Sequence, residues 1–268
     1  MRAVGSVAVA VFRESVRDRV FYNLLLFAVL LVCASILMGQ LTAGQDVKII
    51  KDLGLASTSL FGLFISIFIG INLVSKEVDR RSVYPLFAKP IRRAEFIVGK
   101  YAGLLLTLLV NMVVMAVALY AVLYFLSRGV PARVQSGWDA PALDPALLMA
   151  IALIYVDLAL VTAIAVFFST YSSPMLSAIF TLGIYIAGQF NTDLKRFDLI
   201  VASPAAAALG KACYYVLPDF SRFDVKLAVV HGIPVHGSYM VSATAYAAVY
   251  VAALLFGATV IFSRRDFK

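Results

Sequence analysis

The chain has 268 residues, 62% apolar and 14% charged, with a mean hydropathy of +0.94 and a net charge of +8. Soluble domains carry roughly 25% charged residues, so a soluble globular fold is excluded. A nucleic-acid binder is excluded too, because the basic residues sit beside long apolar runs, where membrane topology explains them.

From the N-terminus, Arg2, Arg13, Arg17 and Arg19 alternate with Val4, Val7, Ala8, Val11, Phe12 and Val16. The apolar positions fall at helical spacing with the charges mostly on the other side, which predicts an interfacial helix over 1–19. Six apolar runs come next, each about the length needed to cross a hydrocarbon core of ~30 Å: Val20–Thr42, Leu55–Val74, Tyr101–Leu126, Pro145–Phe168, the shorter Pro174–Phe190, and Tyr239–Phe262. Cys33 lacks the small preceding residue of a processing site, so the first run reads as a retained anchor. Cys33 and Cys213 together give no metal spacing and no disulfide framework. The expected fold is therefore all-α, a single polytopic membrane unit over 1–268.

Short loops are expected between the spans. GQDVKIIKD separates the first pair, and a loop holding Pro131, Gly137, Trp138 and Pro141 separates the third and fourth. Counting Lys and Arg in alternate loops gives fourteen on the side of the N-terminus and nine on the other, which places both termini in the cytoplasm. The stretch 191–238 is then extracytoplasmic. Within it Leu199–Leu217 is apolar, but Pro204, Gly210 and Lys211 argue against a seventh crossing. A pair of re-entrant helices fits this stretch better. The adjoining PDFSRFDVKLAVVHGIPVHG alternates charged and apolar residues, as an interfacial or outer-surface element does.

The densest charge lies in SKEVDRRSVYPLFAKPIRRAEFIVGKY, Ser75–Tyr101, with Lys76, Glu77, Asp79, Arg80, Arg81, Lys89, Arg92, Arg93, Glu95 and Lys100. At mid-membrane each would cost ~2.5–3.5 kcal/mol, so the segment is expected in water. Lys76–Tyr84 can continue the second span or form a short helix across its end. Pro85 and Pro90 restrict the turn between them, and Pro90 is placed to start the next helix, with Arg92 and Glu95 three apart on one face. Val83, Leu86 and Phe87 in a charged field suit a docking surface.

An acidic residue after a span, a short helix, and then K-P-I-R-R-x-E-F-I-V-G-K-Y running into the next span resemble the type-two ATP-binding-cassette (ABC) permease family, close to the branch described as multicopper-enzyme-maturation permeases. Arg81-Ser82 stands where members often carry Gly-Thr, and Arg92-Arg93 where Ser-Arg is common. The resemblance covers essentially the whole chain. It implies six spans, an amphipathic elbow helix, short helices between spans five and six, and a bacterial inner-membrane location. It further implies a second permease chain, export driven by separate ATPase subunits that bind ATP and Mg, and contact with them through 75–100. Glu77, Asp79, Arg80 and Arg81 would face the ATPase, with Leu86 and Phe87 packing nearby.

No chemistry is expected in the chain itself. Gly99-Lys100-Tyr101 is not a phosphate loop, because Ala94 stands where the first glycine is needed and Tyr101 where a Ser or Thr is. Asp157 lies mid-span and is a functional candidate by position. It either lines the path or bonds across a helix interface to Asn111, Asn72 or a tyrosine. His231 and His236, five apart without a nearby Cys or carboxylate in sequence, make a weak metal pair. Gly62, Gly70, Gly183 and Gly188 are expected to allow close helix packing. Two other classes stand beside the transporter reading: an ion- or proton-coupled secondary carrier using Asp157, and a membrane scaffold. No inverted repeat or set of intramembrane charges supports the carrier.

Overall fold

A computed structural model describes residues 2–40, 46–79, 92–135, 137–191 and 214–264. Among them the helices are α1 (Arg2–Val16), α2 (Arg19–Gln40), α3 (Asp46–Asp79), α4 (Arg93–Gly129), α5 (Ala132–Gln135), α6 (Ala146–Ser169), α7 (Pro174–Gln189), α8 (Lys226–Val230) and α9 (Gly237–Arg264), with a 3-10 turn at Phe220–Phe223. No strand occurs among the described residues. Each of the six predicted spans falls on one helix. Four helices are long and apolar enough to cross a membrane: α3 over Asp46–Ile71, α4, α6 and α9. The other two apolar helices are shorter: Leu24–Ser35 within α2, and α7. At ~1.5 Å per residue the 16 residues of α7 reach ~24 Å. This is an all-helical, polytopic membrane protein.

The α6 helix is the centre of the bundle. Leu147, Ala150, Leu153, Leu158, Leu160, Val161, Ala163 and Val166 are all fully buried, on every side of the helix. A helix apolar all round needs neighbours all round, and α3, α4, α7 and α9 supply them. α3 runs parallel to α6, with Gly62 against Leu158 and Gly70 against Ala165. α4 runs antiparallel to it. Tyr101 Oη donates to the Ala159 carbonyl at 3.1 Å, Tyr155 Oη to Leu105 at 3.1 Å and Tyr120 Oη to Asp144 at 2.8 Å. Buried hydroxyls on the same helices turn back on their own backbones: Thr58 on Gly54, Ser66 on Gly62, Thr107 on Gly103 and Thr162 on Leu158. Satisfied within their own helix, they need no partner in lipid.

Two predicted loops are more ordered than expected. The segment from Asp46 is the first turn of α3, because Val47, Ile50 and Leu55 fall on one buried face and Asp46 favours a helix N-terminus. The segment after α4 contains the short helix α5 and a turn through Trp138. Of the region 191–238, most of Leu199–Leu217 lies outside the described residues. The stretch from Pro218 to Val230 keeps Arg222, Asp224 and Leu227 exposed but turns its other side inward: Phe220, Phe223, Val229 and Val230 are buried, and it packs on α3, α6 and α7. Gly188 lets it in, since a Cβ there would stand 2.4 Å from the Pro218 carbonyl oxygen. The stretch is fastened to α9 through Tyr246, which accepts the Asp219 N–H at 2.8 Å, and Tyr239, whose hydroxyl donates to the Arg222 carbonyl at 2.7 Å. Among the glycines expected to serve packing, Gly183 is the exception, with no atom of another element within 4 Å of a Cβ built there.

Candidate functional site

The loop between α3 and α4 is the strongest candidate for function, and the structure describes its two ends. α3 runs on past its span to Asp79, as the sequence allows. Arg80, Arg81, Leu86 and Phe87 lie outside the described residues, as do the side chains of Asn72, Glu77 and Asp79. On the other side the helix starts one residue later than the predicted pairing needs. Arg92 is its N-cap in an extended conformation, and Glu95 Oε2 accepts the Arg92 backbone N–H at 3.2 Å. Glu95 thus caps α4 instead of pairing along its face. From there α4 continues unbroken for 37 residues, ~55 Å at 1.5 Å per residue, so it carries the loop end into the membrane as one rod.

The start of that rod is held by two other elements. Gly99 and Gly103 seat the N-terminal helix α1. A Cβ on Gly99 would stand 2.8 Å from Val7 Cβ, and one on Gly103 would stand 2.6 Å from the Ala8 carbonyl oxygen and 2.7 Å from Val11 Cβ. This is a G-x-x-x-G contact, in which missing side chains let two helix backbones meet. On another side, Arg93 Nη1 donates to the Phe262 carbonyl at 3.2 Å and the Ser263 carbonyl at 2.6 Å, at the end of α9. The cation thereby meets carbonyls left free at a helix C-terminus and the negative end of its dipole. The Phe96 ring stacks on Phe262 at 5.9 Å and 20°, and Lys100 Nζ lies 4.7 Å from the Phe96 centroid. Lys100 is expected in water with the other loop charges, yet it is 1% exposed. Its ammonium interacts with its surroundings, and its long stem packs among the apolar side chains.

Sequence reasoning misses Arg93, Gly99 and Gly103 as a unit. The glycine spacing is a readable signal. The grip of Arg93 on residues about 170 positions away is not.

Asp157 sits at the middle of α6, 5% exposed. It is not joined to Asn111: both Asn111 amide atoms and Asp157 Oδ1 are buried without a hydrogen-bond partner among the described residues. Its charged surroundings come instead from the tucked stretch 218–230, with Lys226 and Asp224 in electrostatic reach. At the end of the bundle away from Arg93, His231 Nδ1 lies 3.7 Å from Asp139 Oδ2, and the same oxygen pairs with Lys48 Nζ at 2.5 Å. Among the described residues no group of three His, Cys, Asp or Glu side chains gathers as metal ligands do.

The Lys48 hydrogen bond, helped by its charge, holds the Asp139 carboxyl below the usual carboxylate range. A depressed folded value contributes stability above the unfolded pKa and loses it as pH falls through the folded one. The melting temperature of Asp139→Asn should therefore lie furthest below wild type above about pH 4, and the gap should close as pH falls further. A thermal-melt series in detergent checks this.

A family model described as ABC-2 family transporter protein matches residues 6–267. The chain belongs to that family. The matched stretch takes in most of α1 and all of α9, so it includes the glycine-seated helix α1 and the clasp at the end of the last helix. As an ABC-2 permease it is a membrane component of a transporter, and membership implies association with ABC ATPase subunits. No curated protein matches the chain.

Proposed function

We propose that this permease is the transmembrane half of an ATP-driven exporter of the bacterial inner membrane, working as a dimer with both termini in the cytoplasm. The ATPase subunits bind ATP and Mg. Their closure pushes on the loop between α3 and α4, and Glu77, Asp79, Arg80 and Arg81 make the contact, with Leu86 and Phe87 packing beside them. The observation that supports this reading best is the triple attachment at the loop exit. Any displacement of Arg93 and Phe96 reaches α9 through carbonyl hydrogen bonds and a ring stack, and reaches α1 through Gly99 and Gly103. Packed elements joined this way shift together instead of deforming.

Charge reversal tests it. Arg80→Glu with Arg81→Glu should cut transport-coupled ATPase activity of the reconstituted complex by roughly tenfold or more, since like-charge juxtaposition at an interface costs several kcal/mol. Asp157→Asn should leave assembly with the ATPase intact. Unchanged assembly and coupling in the double reversal moves the contact elsewhere. The carrier reading keeps one observation in its favour, the buried Asp157 with an oxygen that has no hydrogen-bond partner among the described residues. It requires transport by the chain alone, without ATP.

A further inference from the structure

At the end of the bundle away from Arg93, a cavity of about 170 Å³ opens between the first turns of α3 and the loop after α5. Val47, Lys48, Lys51, Trp138, Asp139 and Val230 line it. The sequence places both lysines in a loop in water, but Lys51 is 1% exposed. One of its ammonium N–H groups donates to the Pro141 carbonyl at 2.8 Å, which leaves donor capacity unused. Among the described residues no carboxylate pairs with it. Asp144 is within electrostatic reach, but its Oδ1 accepts the Ala146 N–H at 2.9 Å at the start of α6. Lys48 and Asp139 neutralise each other, with His231 facing the same carboxylate oxygen. The cavity is therefore left with a buried ammonium that no ion pair meets among the described residues, its charge offset only at a distance by Asp144. A charge taken out of water without a close counter-charge is expensive to hold, and an anion seated in the cavity would lower that cost.

We propose that this cavity binds a singly charged oxyanion, a phosphate or carboxylate group, against Lys51. Lys48 adds a second donor at the rim, Val47 and Val230 give the apolar wall, and Trp138 closes one side. The group can arrive on an anionic lipid whose head lies at this level, or on a soluble molecule handled by the permease. The site does not depend on ATPase coupling, so it stands or falls separately from the function proposed above.

Trp138 is the single tryptophan of the chain, so tryptophan emission reports on this cavity directly. The purified protein in neutral detergent is titrated with inorganic phosphate and with acetate at constant ionic strength. The expected result is a saturable emission change with at least one of them. It should be lost in Lys51→Gln, whose amide can still donate to Pro141 but carries no charge. Asp139→Asn removes the opposing carboxylate and releases Lys48, and should tighten binding about 3- to 10-fold. Nanodiscs separate the sources. If a lipid supplies the group, discs containing phosphatidylglycerol show the changed emission from the outset and a blunted phosphate response, whereas phosphatidylcholine discs titrate as in detergent. If a soluble anion supplies it, both kinds of disc titrate alike. The proposal is overturned if neither anion nor phosphatidylglycerol changes the emission saturably, or if folded Lys51→Gln titrates like wild type. Should Lys51→Gln fail to fold, a failure of Asp139→Asn to tighten binding overturns it equally.

Discussion

Gly103→Leu is expected to lift α1 from α4 and lower the melting temperature of the detergent-solubilised permease by several degrees. The physical reason is backbone proximity. A Cβ at this position meets the Ala8 carbonyl oxygen at 2.6 Å and Val11 Cβ at 2.7 Å. Neither neighbour is the loose end of a flexible side chain, so α1 has to move as a body. Overpacking of this kind costs ~1–3 kcal/mol, and the branched leucine adds to what a Cβ alone would do. The matching control is Gly5→Ala on α1, where nothing lies within 4 Å of the added carbon. That change should be neutral or stabilise by up to ~1 kcal/mol through helix propensity. Equal melting temperatures for Gly103→Leu and wild type would show that α1 does not hold the start of α4.

The second large effect is expected at Arg93. Arg93→Met keeps an unbranched apolar stem in place of the guanidinium and deletes both bonds to the α9 carbonyls. Hydrogen bonds involving a charged group contribute ~1.5–3 kcal/mol, and the Phe96–Phe262 stack remains to hold the helices near each other. The chain should therefore still insert and still assemble with its ATPase. Transport-coupled ATPase activity should fall by roughly tenfold, corresponding to ~1.4 kcal/mol, while basal hydrolysis stays. Arg93→Lys should lie between, since its ammonium keeps the charge but sits on a shorter stem than the Nη1 group that serves both carbonyls. A variant that loses basal and coupled activity together would show Arg93 acting on assembly instead of on transmission.

The spans are legible in the sequence because a hydrocarbon slab imposes length and apolarity directly. The run from Ala146 to Ser169 has no other reading, and Pro145 and Pro174 mark the helix starts correctly. Less legible is anything decided by a partner far along the chain. Charge alone assigns Lys51 and Lys100 to water, and both are buried: Lys51 Nζ reaches the Pro141 carbonyl far along the chain, and Lys100 Nζ lies over the Phe96 ring one turn back on its own helix. Phe220 and Phe223 are hidden among Asp219, Arg222 and Asp224, and the alternation looks like a surface strip. The fold instead turns the aromatics inward under Gly188 and leaves Arg222 over the Tyr246 ring at 4.7 Å. The Arg92–Glu95 pair gives way for a local reason, since an uncapped α4 would leave the Arg92 N–H without an acceptor and Glu95 supplies one. The glycine pair at 99 and 103 is readable in principle. Its spacing is that of a packing face, but the adjoining lysine points the eye to phosphate binding instead.

This chain is proposed to transmit work from a separate ATPase through the segment between α3 and α4. That role is tested most directly by purifying the tagged permease from its native membrane in a mild detergent. The predicted result is that an ATPase with nucleotide-binding motifs co-purifies in stoichiometric amount, and that the Arg80→Glu, Arg81→Glu variant releases it or abolishes its stimulation. A permease that purifies alone, with no bound ATPase and no hydrolysis in any mild detergent, would contradict it.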